Sequence, residues 1–337
     1  MAVILDKQKY VQIGDQGAGW ATNAAPTVEL SGITDITMKK SIVTEIVQAQ
    51  RGGIVPGRDT LNLRHEVDGC SVAGHVIYEQ IPYFLQGLAE DAVPEVGPPK
   101  VWVYTAPTTA QPVPQPQTLV SGPENLEYGI TGMCIRSITF TWNWGEGLMF
   151  SADLMGRDVV VDTFADLAET AEALLTYALA SQLTVGVDAL AGTIGDTPIS
   201  EVQSGSITID CQRKYIRQAG SLYPYGIFDD FWNVTGEVVF ENTATTGGYV
   251  DAVVAGATTK LLEFAFTNAG AGVLNRSLVF QMASEVSFEE LWSDSDGMSV
   301  VRMSFKPIEE GDWTTAPGGD LDGYFNVKCS ISDAALY

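Results

Sequence analysis

The chain has 337 residues, 45% of them hydrophobic, which suits about two folded domains and argues against global disorder. Its 42 Asp and Glu against 18 Lys and Arg give a formal charge of -24, and no basic cluster stands ready to neutralise a row of phosphates, so the sequence argues against a duplex-DNA-binding protein. The acidity suits two roles, keeping an abundant protein soluble or keeping a surface from sticking to a polyanion.

Residues 1–7 carry a short apolar run with neither a basic lead nor a cleavage site, so no signal peptide is expected. No segment approaches the apolar length that spans a bilayer, so no membrane partner is expected. Residues 29–38 (ELSGITDITM) read as a strand. A long exposed loop is predicted at residues 48–60, where Gly52-Gly53 and Pro56-Gly57 mark turns. Residues 72–80 (VAGHVIYEQ) alternate, with Val72, Gly74, Val76 and Tyr78 on one face, as a half-buried strand does. A short helix follows over residues 82–90, with Pro82 in its first turn. Residues 98–116 are rich in Pro, Thr and Gln and hold one short strand at 101–105, then an extended loop. Residues 137–144 alternate cleanly, turn near Gly147 and return as a strand over 148–154. Thr163 is placed to cap a helix whose apolar face holds Phe164, Leu167, Ala171 and Leu175. From Tyr177 the pattern turns to alternation through Leu179, Leu183, Val185 and Val187.

The second half repeats this order. Residues 234–242 (VTGEVVFEN) align without gaps on 72–80, with four identities and three conservative pairs. Residues 201–210 (EVQSGSITID) resemble 29–38, with Ile207 opposite Ile36. Residues from Glu285 onward follow 137–144, with Trp292 opposite Trp144 and a turn near Gly297. A second short helix is predicted at 249–255, and a second loop at 215–230. The chain therefore divides into residues 1–162, a joining segment 163–182, and residues 183–337. The expected fold is mainly β: two tandem β-sandwich or barrel domains, each with one short flanking helix.

Few residues suit chemistry. His65 and His75 are the only histidines, and in a continuous strand Cys70 points away from both, which disfavours a metal site. The same scarcity disfavours a Ser-His-Asp or Cys-His apparatus. Asp294-Ser295-Asp296-Gly297 lacks the downstream Glu of a calcium loop and reads as a turn. Cys70, Cys134, Cys211 and Cys329 are widely spaced and read as buried thiols, consistent with synthesis in a reducing cytoplasm. Trp142, Trp144 and Trp292 suit a sugar-stacking platform or a core, and their alternation with Ile138 and Phe140 favours the core. No catalytic residue, metal or cofactor is expected.

The order of elements, the V-x-G-x-V-x-x-E strand at 72–79 and the stretch 183–210 with Gly192-Thr193-Ile194-Gly195-Asp196-Thr197 resemble the major tail tube protein of long-tailed bacteriophages with non-contractile tails. The resemblance implies subunits joined edge to edge into rings around a lumen, and rings stacked through long loops. A chain with two units would build a six-unit ring from three copies. Partners implied are the chain itself, the tape measure protein and viral DNA in the lumen, and the terminator and tip proteins at the tube's ends. The implied setting is the virion. On this reading Arg51, Gly52, Ile54, Pro56, Arg58, Tyr223, Tyr225 and Phe228 are the candidate stacking residues. Glu66, Asp68, Asp153 and Glu237 are the candidate lumenal acids. The competing expectation is a carbohydrate-binding or adhesive β-sandwich, followed by a β-glycosidase.

Overall fold

Alternation at a period of two makes strands almost throughout, as expected for a mainly β chain. The computed structural model describes residues 10–16, 20, 24–49, 57–89, 100–107, 114–123, 126–167, 175–190, 192–199, 201–230, 232–256, 258–268, 275–288, 292–295, 297–308 and 324–331. For residues 45–49, 57–61 and 295 it describes the backbone alone.

The first half runs β1 (Tyr10–Asp15), β2 (Val28–Glu29), β3 (Ile33–Thr37), β4 (Lys40–Ala49) and β5 (Gly57–His75), then helix α1 (Ile81–Leu88). It continues with β6 (Lys100–Thr105), β7 (Gln117–Gly122), β8 (Tyr128–Asn143), β9 (Met149–Gly156) and β10 (Asp158–Val161). A 3-10 turn at Ala180–Gln182 leads to β11 (Leu183–Ala189), β12 (Pro198–Ile199), β13 (Val202–Asp210), the hairpin β14 (Lys214–Ile216) and β15 (Gly226–Phe228), and β16 (Asn233–Glu241). Helix α2 (Ala244–Val254) precedes β17 (Thr259–Asn268), β18 (Arg276–Phe288), β19 (Ser293–Ser295), β20 (Met298–Pro307) and β21 (Phe325–Ile331).

The pairings of the first half recur in the second. β1 lies between β2 and β7, and β11 between β12 and β17. β5 pairs with β3 and β9, and β16 with β13 and β20. Gly74 faces Phe150 across one ladder, and Gly236 faces Phe305 across the other. Both glycines are forced by close approach. A Cβ on Gly74 would meet the Gly32 carbonyl, and one on Gly236 the Phe305 ring and the Ser206 carbonyl.

These ladders correct the alignment read from sequence. Ile36 pairs with Val72 and Ile209 with Val234, so Ile36 corresponds to Ile209 and not to Ile207. Phe140 pairs with Phe150 and Val286 with Phe305, so Thr139 corresponds to Glu285, two residues from the sequence match. A bulge at Thr34 accounts for one residue of the shift in β3, since Ile33 to Ile36 spans three residues where Ile207 to Ile209 spans two. A second irregularity between Val67 and Cys70, with Gly69 at φ 70°, resets the alternation of β5.

The helices differ. All eight residues of α1 are buried, whereas α2 buries only Thr246 and Val250. α2 starts five residues earlier than predicted because Thr243 and Thr246 form a reciprocal cap. The helix predicted after Thr163 is not seen over residues 163–167, which are irregular. Phe164 N–H instead donates to Glu127, and Ala165 N–H to Gln12. Ala171 lies outside the described residues.

One buried cluster runs through both halves. Phe140 of β8 packs on Phe280 of β18, and Trp142 on Phe264 and Phe266 of β17.

Candidate assembly surface

The residues that join the halves are backbone groups first. β8 and β13 pair over seven residues, from Asn143↔Ser204 to Ser137↔Asp210. This links the halves into one wall of eight strands in the order β3–β5–β9–β8–β13–β16–β20–β18. Elsewhere β6 of the first half pairs with β21 of the second. On the core side of the seam lie Ile138, Phe140, Ile207 and Ile209. On the other side the hydroxyls of Thr139 and Thr208 meet at 3.0 Å.

The wall ends differently at its two margins. β3 is paired to β5 alone among the described strands. At the far margin β17 covers β18 as far as Glu285, and Val286 N–H donates to Thr258. In the first half β7 reaches only Met133 of β8, which leaves residues 137–143 open to β13. Ser287 and Phe288 are therefore the described part of β18 that no strand covers on that side.

The face of the wall away from the core carries a row of hydroxyls: Ser71, Ser151, Thr139, Thr141, Ser206, Thr208, Thr235, Ser304 and Ser287. Its ionic groups are Asp35, Asp68, Asp153, Asp210, Glu237 and Glu285 against Arg136, Arg302 and Lys306, six minus three, or a net -3 of the chain's -24. Arg136 bridges Asp153 at 3.3 Å and Asp68 at 3.5 Å, and Arg302 lies 3.7 Å from Glu237. Burial raises the pKa of Asp153, and Arg136 opposes the shift. Three of the four predicted lumenal acids thus share one face or its border. Glu66 stands apart, largely buried in ion pairs with Arg64 and Arg217.

The β14–β15 hairpin of the second half docks on the first. Gln212, at φ 48°, turns the chain out of β13, with its N–H held 2.8 Å from the Asp210 carboxylate. Arg213 follows, fully buried, and forks onto Asp229 at 2.7 and 3.1 Å. The same guanidinium donates to the carbonyls of Gly87, Leu88 and Ile135, so a cation from one half satisfies the C-terminus of a helix in the other. Tyr215 donates to the Val67 carbonyl, His65 N–H to Leu222, and the Tyr223 ring meets His65 at 5.1 Å. Burial pushes the thiols of Cys134 and Cys211, beside Arg213, up to about 12, and all four cysteines are free and buried.

Of the predicted stacking residues, Tyr225 and Phe228 are exposed on this hairpin, while Tyr223 is half-buried. Arg58 pairs through its backbone with Gln48 in the β4–β5 ladder. Arg51, Gly52, Ile54 and Pro56 lie outside the described residues. Sequence reasoning missed Arg213 and Asp229. Their signal was a charge pair at either end of a predicted loop, which a solvated surface carries equally well.

The three tryptophans do not form one surface. Trp142 is in the core, while Trp144 and Trp292 are 79% and 69% exposed, against the expectation that all three pack inside. Trp144 lies one residue past the end of β8 and so escapes the packing that alternation implied. His75 packs on Tyr177, away from His65, and no group of three metal-ligating side chains occurs among the described residues. At the turn expected over 294–297, Gly297 N–H donates to the Asp294 carboxylate and Ser295 pairs with Met298. No helix among the described residues is long and apolar enough to cross a membrane.

The geometry defines the class: a mainly β protein whose two halves are fused edge to edge through β8 and β13. A profile of the phage tail tube protein family matches residues 11–311, and the chain belongs to that family. Membership makes it a structural component of the virion that self-assembles into a tube, in a family that is not enzymatic. No curated protein matches the chain.

Proposed function

We propose that three copies of this chain close into a ring whose inner wall continues the eight-stranded sheet, and that stacked rings conduct DNA during ejection. The observation that carries this reading is the β8–β13 seam, which joins two similar units edge to edge within one chain. An unpaired edge such as β3 invites the same pairing from a neighbour, and closure removes the edge. Three chains of eight strands make a 24-stranded barrel. At about 4.8 Å between strands its diameter is about 37 Å without tilt, and larger with it. The unit boundaries are those read from sequence, residues 1–162 and 183–337, with the joining segment between. The tape measure protein occupies the lumen before DNA does, and terminator and tip proteins close the ends. Synthesis and assembly take place in the host cytoplasm.

In this arrangement the hydroxyl-rich face lines the lumen. Its net charge, three negative per chain, repels phosphate within about 8 Å at physiological salt, while Arg136 and Arg302 are held by the face's own acids. The test is DNA ejection from particles carrying Thr141→Lys, Ser151→Lys, Thr235→Lys and Ser304→Lys, which takes the face from -3 to +1. Ejection should slow at low salt and recover as salt rises. An unchanged rate at low salt overturns the assignment of this face to the lumen.

A further inference from the structure

Exposed apolar side chains gather at two opposite ends of the wall. β13 starts at one end with Val202 and finishes at the other with Asp210, where the chain enters the β14–β15 hairpin. Nine extended residues put these ends about 30 Å apart. At the hairpin end Ile216, Leu222, Tyr225 and Phe228 are 44%, 41%, 69% and 41% exposed. At the other end Trp144 follows β8, Trp292 precedes β19, and Met298 opens β20 at 47% exposed. Trp144 and Met298 face one shallow groove, with Val202, Glu201 and Glu241 also in its lining.

We propose that the rim carrying Trp144, Trp292 and Met298 receives the β14–β15 hairpin of a second copy of this chain in the next ring. The inference rests on the tube reading and adds to it the acceptor side of the stacking contact. Three observations choose this occupant. A tryptophan occurs at the corresponding connection of each half, after β8 and after β18, so the rim repeats wherever the wall repeats. The rim is acidic, with Glu146, Glu201, Glu241 and Asp294, and the described residues of its turns include no Lys or Arg. The hairpin end holds Arg64, Lys214 and Arg217, with side chains 46%, 65% and 50% exposed, paired to Glu66 and Asp230, three cations against two acids or a net +1 facing the acidic rim. One rigid copy cannot bring both ends together. A contact between unlike ends that does not close on itself generates a filament.

The test uses two full-length variants, Trp144→Ser/Trp292→Ser and Tyr225→Ser/Phe228→Ser, with growth seeded by sheared wild-type tubes and followed by electron microscopy and sedimentation. Every altered side chain is exposed, so thermal melting should match the wild type. Each variant alone should form rings and shorten tubes at least tenfold. Mixed together they retain one good rim and one good hairpin, and should yield pairs of stacked rings but no longer tubes. Wild-type tube lengths from the tryptophan variant overturn the acceptor assignment, as does a mixture without pairs. Glycan capture by the wild-type rim with unaltered stacking in the variant overturns it in favour of a sugar platform. Failure of the wild type itself to form rings or tubes overturns the tube reading along with it.

Discussion

Replacing Arg213 with Met should unfasten the two halves from the hairpin side. The change leaves Asp229 buried without its guanidinium, and strips a donor from the carbonyls of Gly87, Leu88 and Ile135. Breaking a buried ion pair from one side costs about 3–5 kcal/mol, and the orphaned carbonyls push the loss toward the upper figure. With an unfolding entropy of about 2.1 cal/mol/K per residue, 337 residues give about 0.7 kcal/mol/K, so Tm should fall by about 4–7 °C. The assay is urea and thermal unfolding of the single variant, of Asp229→Leu, and of the double variant. The double variant should recover part of the loss, because neither half of the buried pair is left behind. Cys134 and Cys211, which lie beside Arg213, should become reactive toward a thiol reagent in the single variant before global unfolding. A loss under about 1 kcal/mol, the range of exposed ion pairs, would refute the account of this pair as the inter-half fastener.

Gly236→Val should cost about 3 kcal/mol or more and leave little soluble protein, because its Cβ meets both a ring and a carbonyl. Gly248→Ala, in open space on α2, should instead stabilise by about 0.5–1 kcal/mol, and paired melts check both. Asp153 has a raised pKa in the folded chain, so the proton it holds favours folding at low pH. That contribution is lost as pH rises from the ordinary carboxylate range through the raised value. Asp153→Asn should therefore be no less stable than wild type at pH 7, and should flatten the fall in stability that the wild type shows as pH rises above the ordinary carboxylate range. The four native thiols should resist a water-soluble thiol reagent until the protein unfolds, as titration of free thiol would record.

The strands predicted at 72–80 and 234–242 were legible as far as His75 and Glu241, where each keeps a glycine against a pressing ladder; beyond His75 the chain turns, and Val76, Ile77 and Tyr78 are all buried instead of alternating. The period of two survives sequence divergence whenever one face meets a core. The register between the halves was not legible. Both mismatches are by two residues, which keeps every side chain on its own face, so alternation alone cannot tell the right register from the wrong one. β6 was found as a short strand, but its partner β21 lies more than two hundred residues away, and pairing at that range leaves no local trace. Gly247-Gly248 hid the first turns of α2, although the Thr243 cap was in view. Trp144 was read as core because it continues the alternation of β8, yet the strand ends at Asn143 and the ring points to solvent. The acid excess suggested a densely charged lining. The face in question interleaves Ser and Thr with acids and bases that largely offset one another, an arrangement a charge count cannot see.

The central claim is that a second chain continues the wall that the seam between β8 and β13 begins. A reconstruction of the assembled tube by electron microscopy, at a resolution that separates strands, tests it most directly. The account predicts three chains per ring and an inner barrel of 24 strands, with Thr139, Thr208 and Glu237 facing the lumen and β3 paired to a neighbouring chain. Six chains per ring, or an inner wall in which β3 is left unpaired, would contradict it.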